Sequence, residues 1–205
     1  MRKLNLIMKR SIKALFVTQI IFVAVFLATS AHAQFSGGVK AGANLATEQY
    51  PGFTMENAIL PYGGAFARYQ VSLIAFQLEA NYSVEGGNLR TITGEVNKYR
   101  ESYINVPLFI QGRFPLGQYI ELGAQYGFLQ SSTYNYNQTG EVNTKGYYKS
   151  NNISLGGGVG YEIQKGNVKG LGINLRFMKG LTAISSSGSG DIKTSTVSLG
   201  LSQKF

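Results

Sequence analysis

From residue 35 onward the chain alternates between apolar and polar or small side chains, in eight separate runs of about ten residues. An extended chain points successive side chains to opposite faces, whereas a helix repeats every ~3.6 residues, so this period predicts strands with two unlike faces. In the first run Phe35, Gly37, Val39, Ala41, Ala43 and Leu45 alternate with Ser36, Gly38, Lys40, Gly42 and Asn44. The second sets Ala65, Ala67, Tyr69 and Val71 against Phe66, Arg68 and Gln70, and the third sets Ile74, Phe76, Leu78, Ala80 and Tyr82 against Ala75, Gln77, Glu79 and Asn81. Ile104, Val106, Leu108 and Ile110 oppose Tyr103, Asn105, Gln111 and Arg113 in the fourth. The fifth opposes Ile120, Leu122, Ala124, Tyr126 and Phe128 to Glu121, Gly123, Gln125 and Gly127. The last three centre on Ile153 to Ile163, Leu171 to Phe177 and Val197 to Phe205.

Connections between the runs alternate in length. Short ones are expected at Ser72-Leu73, 115–118 and 164–169, and long ones at 46–62, 84–101, 131–152 and 182–193. An even strand number with short turns at one end and long loops at the other predicts an all-β, eight-stranded antiparallel up-and-down barrel. The charged face decides its surroundings. Placed inside, Lys40, Arg68, Arg113, Arg176 and Lys204 can pair with Glu79, Glu121 and Glu162, while Leu, Ile, Val, Phe, Ala and Tyr cover the outside of every strand. Such an exterior is untenable in water and required in lipid, so the barrel is expected to be transmembrane. The alternative is a soluble periplasmic lipocalin-like barrel with the faces reversed, apolar inside and polar outside.

The first 33 residues are read apart from this domain. Arg2, Lys3, Lys9, Arg10 and Lys13 precede an apolar stretch from Ala14 to Ala28, and Ala31-His32-Ala33 supplies a small-x-small cleavage site. That order predicts a cleaved signal peptide over 1–33 and a single barrel domain over 34–205. Five of the 19 basic residues leave with the signal, so the remaining 172 residues carry 14 basic and 10 acidic side chains, a net +4. These charges alternate in sign instead of forming a patch, so no nucleic-acid partner is expected. The chain has no cysteine, and its sole histidine, His32, lies in the signal. Without His or Cys most nucleophile–base pairs and transition-metal sites are excluded, and no catalytic, cofactor-binding or metal residues are assigned. A Ser–Asp pair around Ser185 and Asp191 falls in a Ser/Gly-rich stretch of linker character. The Gly156-Gly-Gly-Val-Gly160 run lies inside a strand with no helix after it, so it is no phosphate loop.

Several segments also follow a known pattern. Gly37-Gly-Val-Lys-Ala-Gly-Ala-Asn-Leu45, Phe76-Gln-Leu-Glu-Ala-Asn-Tyr-Ser-Val-Glu-Gly86, Tyr103-Ile-Asn-Val-Pro-Leu-Phe-Ile-Gln-Gly-Arg-Phe114 and the closing strand ending in Phe205 resemble, in order, strands of the PorT-like outer-membrane β-barrel family of the Bacteroidota type. The terminal aromatic resembles the signal read by the barrel-insertion machinery, with Gln203 standing where an apolar residue is usual. The resemblance implies the outer membrane of a Gram-negative bacterium, and both termini are expected in the periplasm. It implies lipid and the insertion machinery as partners, together with other envelope or secretion-system proteins. The function expected is non-enzymatic scaffolding or binding through the external loops. Tyr50, Phe53, Tyr134, Tyr136, Tyr147 and Tyr148 are the candidate loop contacts, although the same residues suit girdle or loop packing. A narrow pore for small solutes is the alternative, set against the small bore of eight strands.

Overall fold

The computed structural model describes residues 34–50, 53–54, 56–90, 96–135, 140–182, 184 and 193–205. The expected signal peptide, with Ser185 and Asp191, lies outside the described residues. Eight long strands form the barrel: β1 (Gln34–Tyr50), β3 (Glu56–Val71), β4 (Ile74–Glu85), β6 (Val96–Arg113), β7 (Gln118–Asn135), β9 (Asn151–Glu162), β10 (Leu171–Gly180) and β11 (Lys193–Lys204). Three short strands, β2 (Phe53–Thr54), β5 (Gly87–Arg90) and β8 (Glu141–Asn143), extend the ladder at the long-loop end. Neighbours pair antiparallel from β1 through β11, β10, β9, β7, β6 and β4 to β3, and β3 pairs with β1, so the sheet closes on itself. Closure leaves every spanning strand two hydrogen-bonded neighbours, the condition for a sheet to lie in hydrocarbon.

The faces follow the period. On β4 the residues alternate exposed and buried from Ile74 to Tyr82, and β10 does the same from Leu171 to Gly180. Phe76, Leu78, Ile110, Leu122, Leu175 and Leu199 face outward, while Lys40, Glu79, Gln111 and Arg176 are buried inside. A lipocalin-like barrel would have these faces reversed. Outward aromatics gather near the two ends: Tyr82 and Phe128 both pair across to Ile104 towards the long loops, and Tyr161 pairs with Gln118 near the short turns. Amphipathic rings at those levels suit the two membrane–water interfaces.

Two departures from the expected layout matter. The stretches 46–62, 84–101 and 131–152 are not simply loops. β1 and β3 run for 17 and 16 residues, and β6 and β7 for 18 each, so the sheet continues well past the band of lipid-facing side chains. Alternation fades there because the outer face of a projecting sheet no longer meets lipid, while the inner face stays buried. The second departure lies in β6, where Pro107 has no N–H to give and the β4–β6 ladder is interrupted between the Leu78–Leu108 and Asn81–Asn105 pairs.

The β3–β4 turn is two residues long, and Ser72 adopts a positive φ of 54°. Gln70 Nε2 donates to the Ser72 carbonyl at 3.0 Å across it. A left-handed non-glycine residue costs roughly 1–2 kcal/mol, so Ser72→Gly should stabilise the barrel by about 1 kcal/mol. Urea unfolding of detergent-solubilised protein, followed by tyrosine fluorescence, would record the gain as a higher midpoint; an unchanged midpoint would mean the turn is unstrained.

Candidate functional site

All eight charged residues expected inside lie in the lumen, and the structure joins them into two clusters. Near the short turns Glu162, at the end of β9, receives three cations. Arg68 Nη1 from β3 stands 2.6 Å from Oε2, Arg113 Nη2 from β6 3.1 Å from the same oxygen, and Lys204 Nζ from β11 2.8 Å from Oε1. At mid-height Glu79 from β4 sits between Lys40 of β1, at 3.0 Å, and Arg176 of β10, whose Nη1 and Nη2 reach both carboxylate oxygens at 3.0 and 2.9 Å. The same guanidinium turns its Nε to Glu121 of β7 at 2.8 Å. Each cluster thus ties together strands far apart in sequence but facing one another across the lumen.

Two glutamines link the clusters. Arg68 Nε donates to Gln77 Oε1 at 2.8 Å while Gln77 Nε2 donates to Glu79 at 2.6 Å. Arg113 Nη1 donates to Gln111 Oε1 at 2.9 Å and Gln111 Nε2 to Glu121 at 3.0 Å. Above them the network changes to neutral groups. Asn44 Nδ2 donates to Ser83 Oγ, Ser198 Oγ to Asn44 Oδ1, and Ser83 Oγ and Asn105 Nδ2 to Glu85. Charges inside low-dielectric protein are tolerable only when paired and hydrogen-bonded, and here each carboxylate of the two clusters meets at least two donors.

Glu85 and Glu101 are buried acidic residues in a stretch expected to be loop. The parity of β4 and β6 carries both inward, since Ser83–Glu85 and Glu101–Tyr103–Asn105 continue the buried series. With them the described lumen holds five basic and five acidic side chains, Arg68, Arg113 and Lys204 towards the short turns and the two added acids towards the long loops.

Aromatic rings fill the remaining space, each under a cation. The Arg176 guanidinium lies 3.8 Å from the Phe109 ring centre, Arg113 4.9 Å from Tyr119 and Arg68 5.1 Å from Phe66, and Lys40 Nζ is 5.6 Å from Tyr62. Cation–π contacts of this kind gain strength when water is excluded. Glycines make the room: a Cβ at Gly123 would strike the Phe109 ring, and one at Gly160 the Tyr119 ring. On β9 the inward glycines Gly156 and Gly160 are thus covered by Met178 and the Tyr119 ring. Among the described residues a cavity of about 30 Å³ lies between Asn44, Ser83, Glu85 and Thr196, room for one or two waters.

Of the loop contacts expected from sequence, the structure describes the side chains of Tyr134, Tyr147 and Tyr148. Tyr134 belongs to β7, half-buried, with its ring 4.7 Å from that of Tyr99 on β6. Tyr50 ends β1 and Phe53 begins β2, so neither is a loop residue. Tyr136 and the side chains of Tyr50 and Phe53 lie outside the described residues. Tyr147, in a single 3-10 turn over Lys145–Tyr147, is exposed, and Tyr148 beside it is half-buried.

Glu79 is the residue on which the lumen most depends. Removing one partner from a buried ion pair costs about 3–5 kcal/mol, because the other charge stays buried. Glu79→Ala, which strands Lys40 and leaves Arg176 with Glu121 alone, should lower unfolding free energy in detergent by that amount. Glu141→Ala on the exposed β8 should change it by no more than about 0.5 kcal/mol. Equal effects for the two would remove the network from the account of stability.

The fold of the barrel recurs in known proteins. Neisserial surface protein A, from Neisseria, is similar with a TM-score of 0.53 at 13% identity, covering 84% of this chain and 99% of that one. The attachment invasion locus protein Ail of Yersinia pestis, solved with the heparin analogue sucrose octasulfate, is similar with a TM-score of 0.50 at 12% identity, over 84% of this chain and 99% of its own. At such identities the likeness is one of fold. No curated protein sequence matches. A family model, that of the outer membrane protein beta-barrel domain, matches residues 20–205, and the chain belongs to that family.

Proposed function

We propose that this outer-membrane barrel is a non-enzymatic envelope protein of the PorT-like type that binds or scaffolds other envelope proteins through the wall it raises at its long-loop end. Both termini then lie in the periplasm and the wall faces the cell exterior. The observation that carries the reading is the length of one side of the sheet. A tilted strand crosses the hydrocarbon in about 9–11 residues, so β1, β3, β6 and β7, with 17, 16, 18 and 18, continue for about 6–8 residues beyond it. At about 3.3 Å per residue that is roughly 20 Å of strand, hydrogen-bonded and stiff, where a loop would be mobile.

Apolar groups stand on this wall where lipid does not reach. Ile59 on β3, Val142 on β8 and Tyr147 are 77%, 58% and 66% exposed. Ile59 lies four residues beyond Gly63, which pairs with the girdle residue Tyr82. Exposed apolar and aromatic side chains on a rigid element are what a protein contact uses for anchors. The lumen offers little else: it is packed with paired side chains and rings, which opposes a solute path. The absence of His and Cys beyond the signal opposes catalysis. Lipid surrounds the barrel, the insertion machinery reads the strand ending in Phe205, and nucleic acid is not a partner.

The test is cross-linking on whole cells followed by affinity purification, comparing the native chain with an Ile59→Glu, Val142→Glu, Tyr147→Ala variant. The native chain should recover a defined envelope protein, and the variant should recover at least about tenfold less while keeping its heat-dependent shift on a detergent gel. Equal recovery by both would refute the wall as the contact surface. Stepwise single-channel current through the purified barrel in a planar bilayer would favour a pore.

A further inference from the structure

Beyond its wall, the membrane-facing surface is not uniform. On β9 the outward series reads Ile153, Leu155, Gly157, Val159, Tyr161, so the centre of the strand has no side chain where every neighbour has one. A Cβ at Gly157 would press on the Glu121 carbonyl and on Leu122 Cδ2, so the close approach of β7 to β9 keeps this position glycine. Next to it β7 presents Ala124, the smallest outward side chain of its central stretch. The result is an apolar groove of about 770 Å³ on the barrel's outer wall, bounded by Leu108, Ile110, Leu122, Leu155 and Phe177.

A charge stands at one end of this groove. Gly157 pairs with Phe177, and two residues on, about 7 Å along the strand, Lys179 pairs with Leu155. Lys179 faces outward and is exposed, and it makes no ion pair among the described residues. Its partner on β11 is Ser195, whose hydroxyl lies on the same outward face. Among the outward-facing strand positions whose side chains are described, the other cations are Lys98 and Arg100, and both stand on the projecting wall beyond Ser102. Lys179 is therefore a cation placed where the apolar band of the barrel stops, directly above the groove. An ammonium on a flexible stem beside an interface rises to meet headgroup charge.

We infer that the groove over Gly157 holds an acyl chain of one phosphate-bearing lipid, whose phosphate is bound by Lys179 and Ser195. The lipid belongs to the leaflet at the long-loop end, the outer leaflet in the orientation proposed above. The chain fills space that the straight walls of neighbouring side chains leave open, and the phosphate neutralises a cation that has no carboxylate beside it among the described residues. Apolar fit and charge complementarity are both needed, which separates this position from the rest of the barrel's lipid-facing surface.

The experiment reconstitutes the purified full chain in phosphatidylcholine vesicles doped with phosphatidylglycerol bearing a diazirine in its acyl chain. After illumination, adducts are located by mass spectrometry. Adducts should concentrate on Leu122, Leu155 and Phe177. Lys179→Gln should lower that yield about fivefold, the factor that one interfacial lysine contributes. Ala124→Leu, which narrows the groove from a position with an ordinary Cβ and spares Gly157, should displace the adducts while the heat-dependent gel shift persists. Adducts spread evenly around all strands, or a yield unchanged in Lys179→Gln, would overturn the inference. So would an adduct yield at Phe177 that falls as the barrel-to-lipid ratio rises, which would assign the groove to a second barrel. Neither substitution touches Ile59, Val142 or Tyr147, so the two proposals fail separately.

Discussion

The hydrogen-bond ladder has to close. In hydrocarbon a free N–H or C=O costs several kcal/mol, so a sheet can span only when its first and last strands find partners. Here β1 takes β11 on one side and β3 on the other, and the contents of the lumen are dictated by that closure. Eight strands closed on themselves leave a bore only as wide as the side chains that fill it. Every second residue must enter that space, and it must leave neither an empty volume nor an unpaired charge.

The chain meets this with three kinds of residue used together. Rings occupy volume, glycines on neighbouring strands give the rings somewhere to lie, and cations stack on the rings while reaching carboxylates across the lumen. Arg176 illustrates the economy: one guanidinium covers Phe109, holds both oxygens of Glu79 and binds Glu121. A buried ion pair by itself contributes little net stability over a packed apolar pair. Its value here is positional. An apolar lumen would leave little to distinguish one face of each strand from the other, whereas a one-residue slip of β4 would turn Glu79 into the lipid. The two glutamines extend that constraint, since Gln77 and Gln111 can satisfy both clusters only in this register.

Parity carried most of this in the sequence. Lys40, Arg68, Glu79, Arg113, Glu121, Glu162, Arg176 and Lys204 could be placed on one face because each lies in a run whose opposite face is plainly apolar. Glu85 and Glu101 could not, because the residues between them, through Gly86, Gly87 and Asn88, break the alternation and read as turn. The ladder nonetheless continues across Gly86, whose φ of 129° lets β4 pass into β5. The same fading of the pattern hid the upper parts of β1, β3, β6 and β7. Period two is imprinted by two different solvents on two faces, and beyond the membrane only the inner face still differs from water. Parity also could not tell which inward residues lie over the inward glycines: the rings of Phe109 and Tyr119 take the space over Gly123 and Gly160.

These constraints also determine where function can reside. Side chains inside are committed to one another, and exchanging any of the central charges strands its partner. The exterior within the bilayer is free to vary provided it stays apolar, so a glycine and a lysine that interrupt it stand out against that background. Beyond the bilayer the inner face is still packed, with Ala46, Ala58 and Leu60 forming a small apolar cap, so the projecting sheet stays rigid without lipid around it. A stiff sheet held upright by its own core can present a fixed surface at little entropic cost, because its backbone is already ordered before any partner arrives. Selection on such a molecule can act on the outer face of the wall and on the rim of the apolar band while leaving the lumen untouched. The architecture itself is shared with proteins at 12–13% identity, so it is these two outer regions, and not the barrel, that can assign a role.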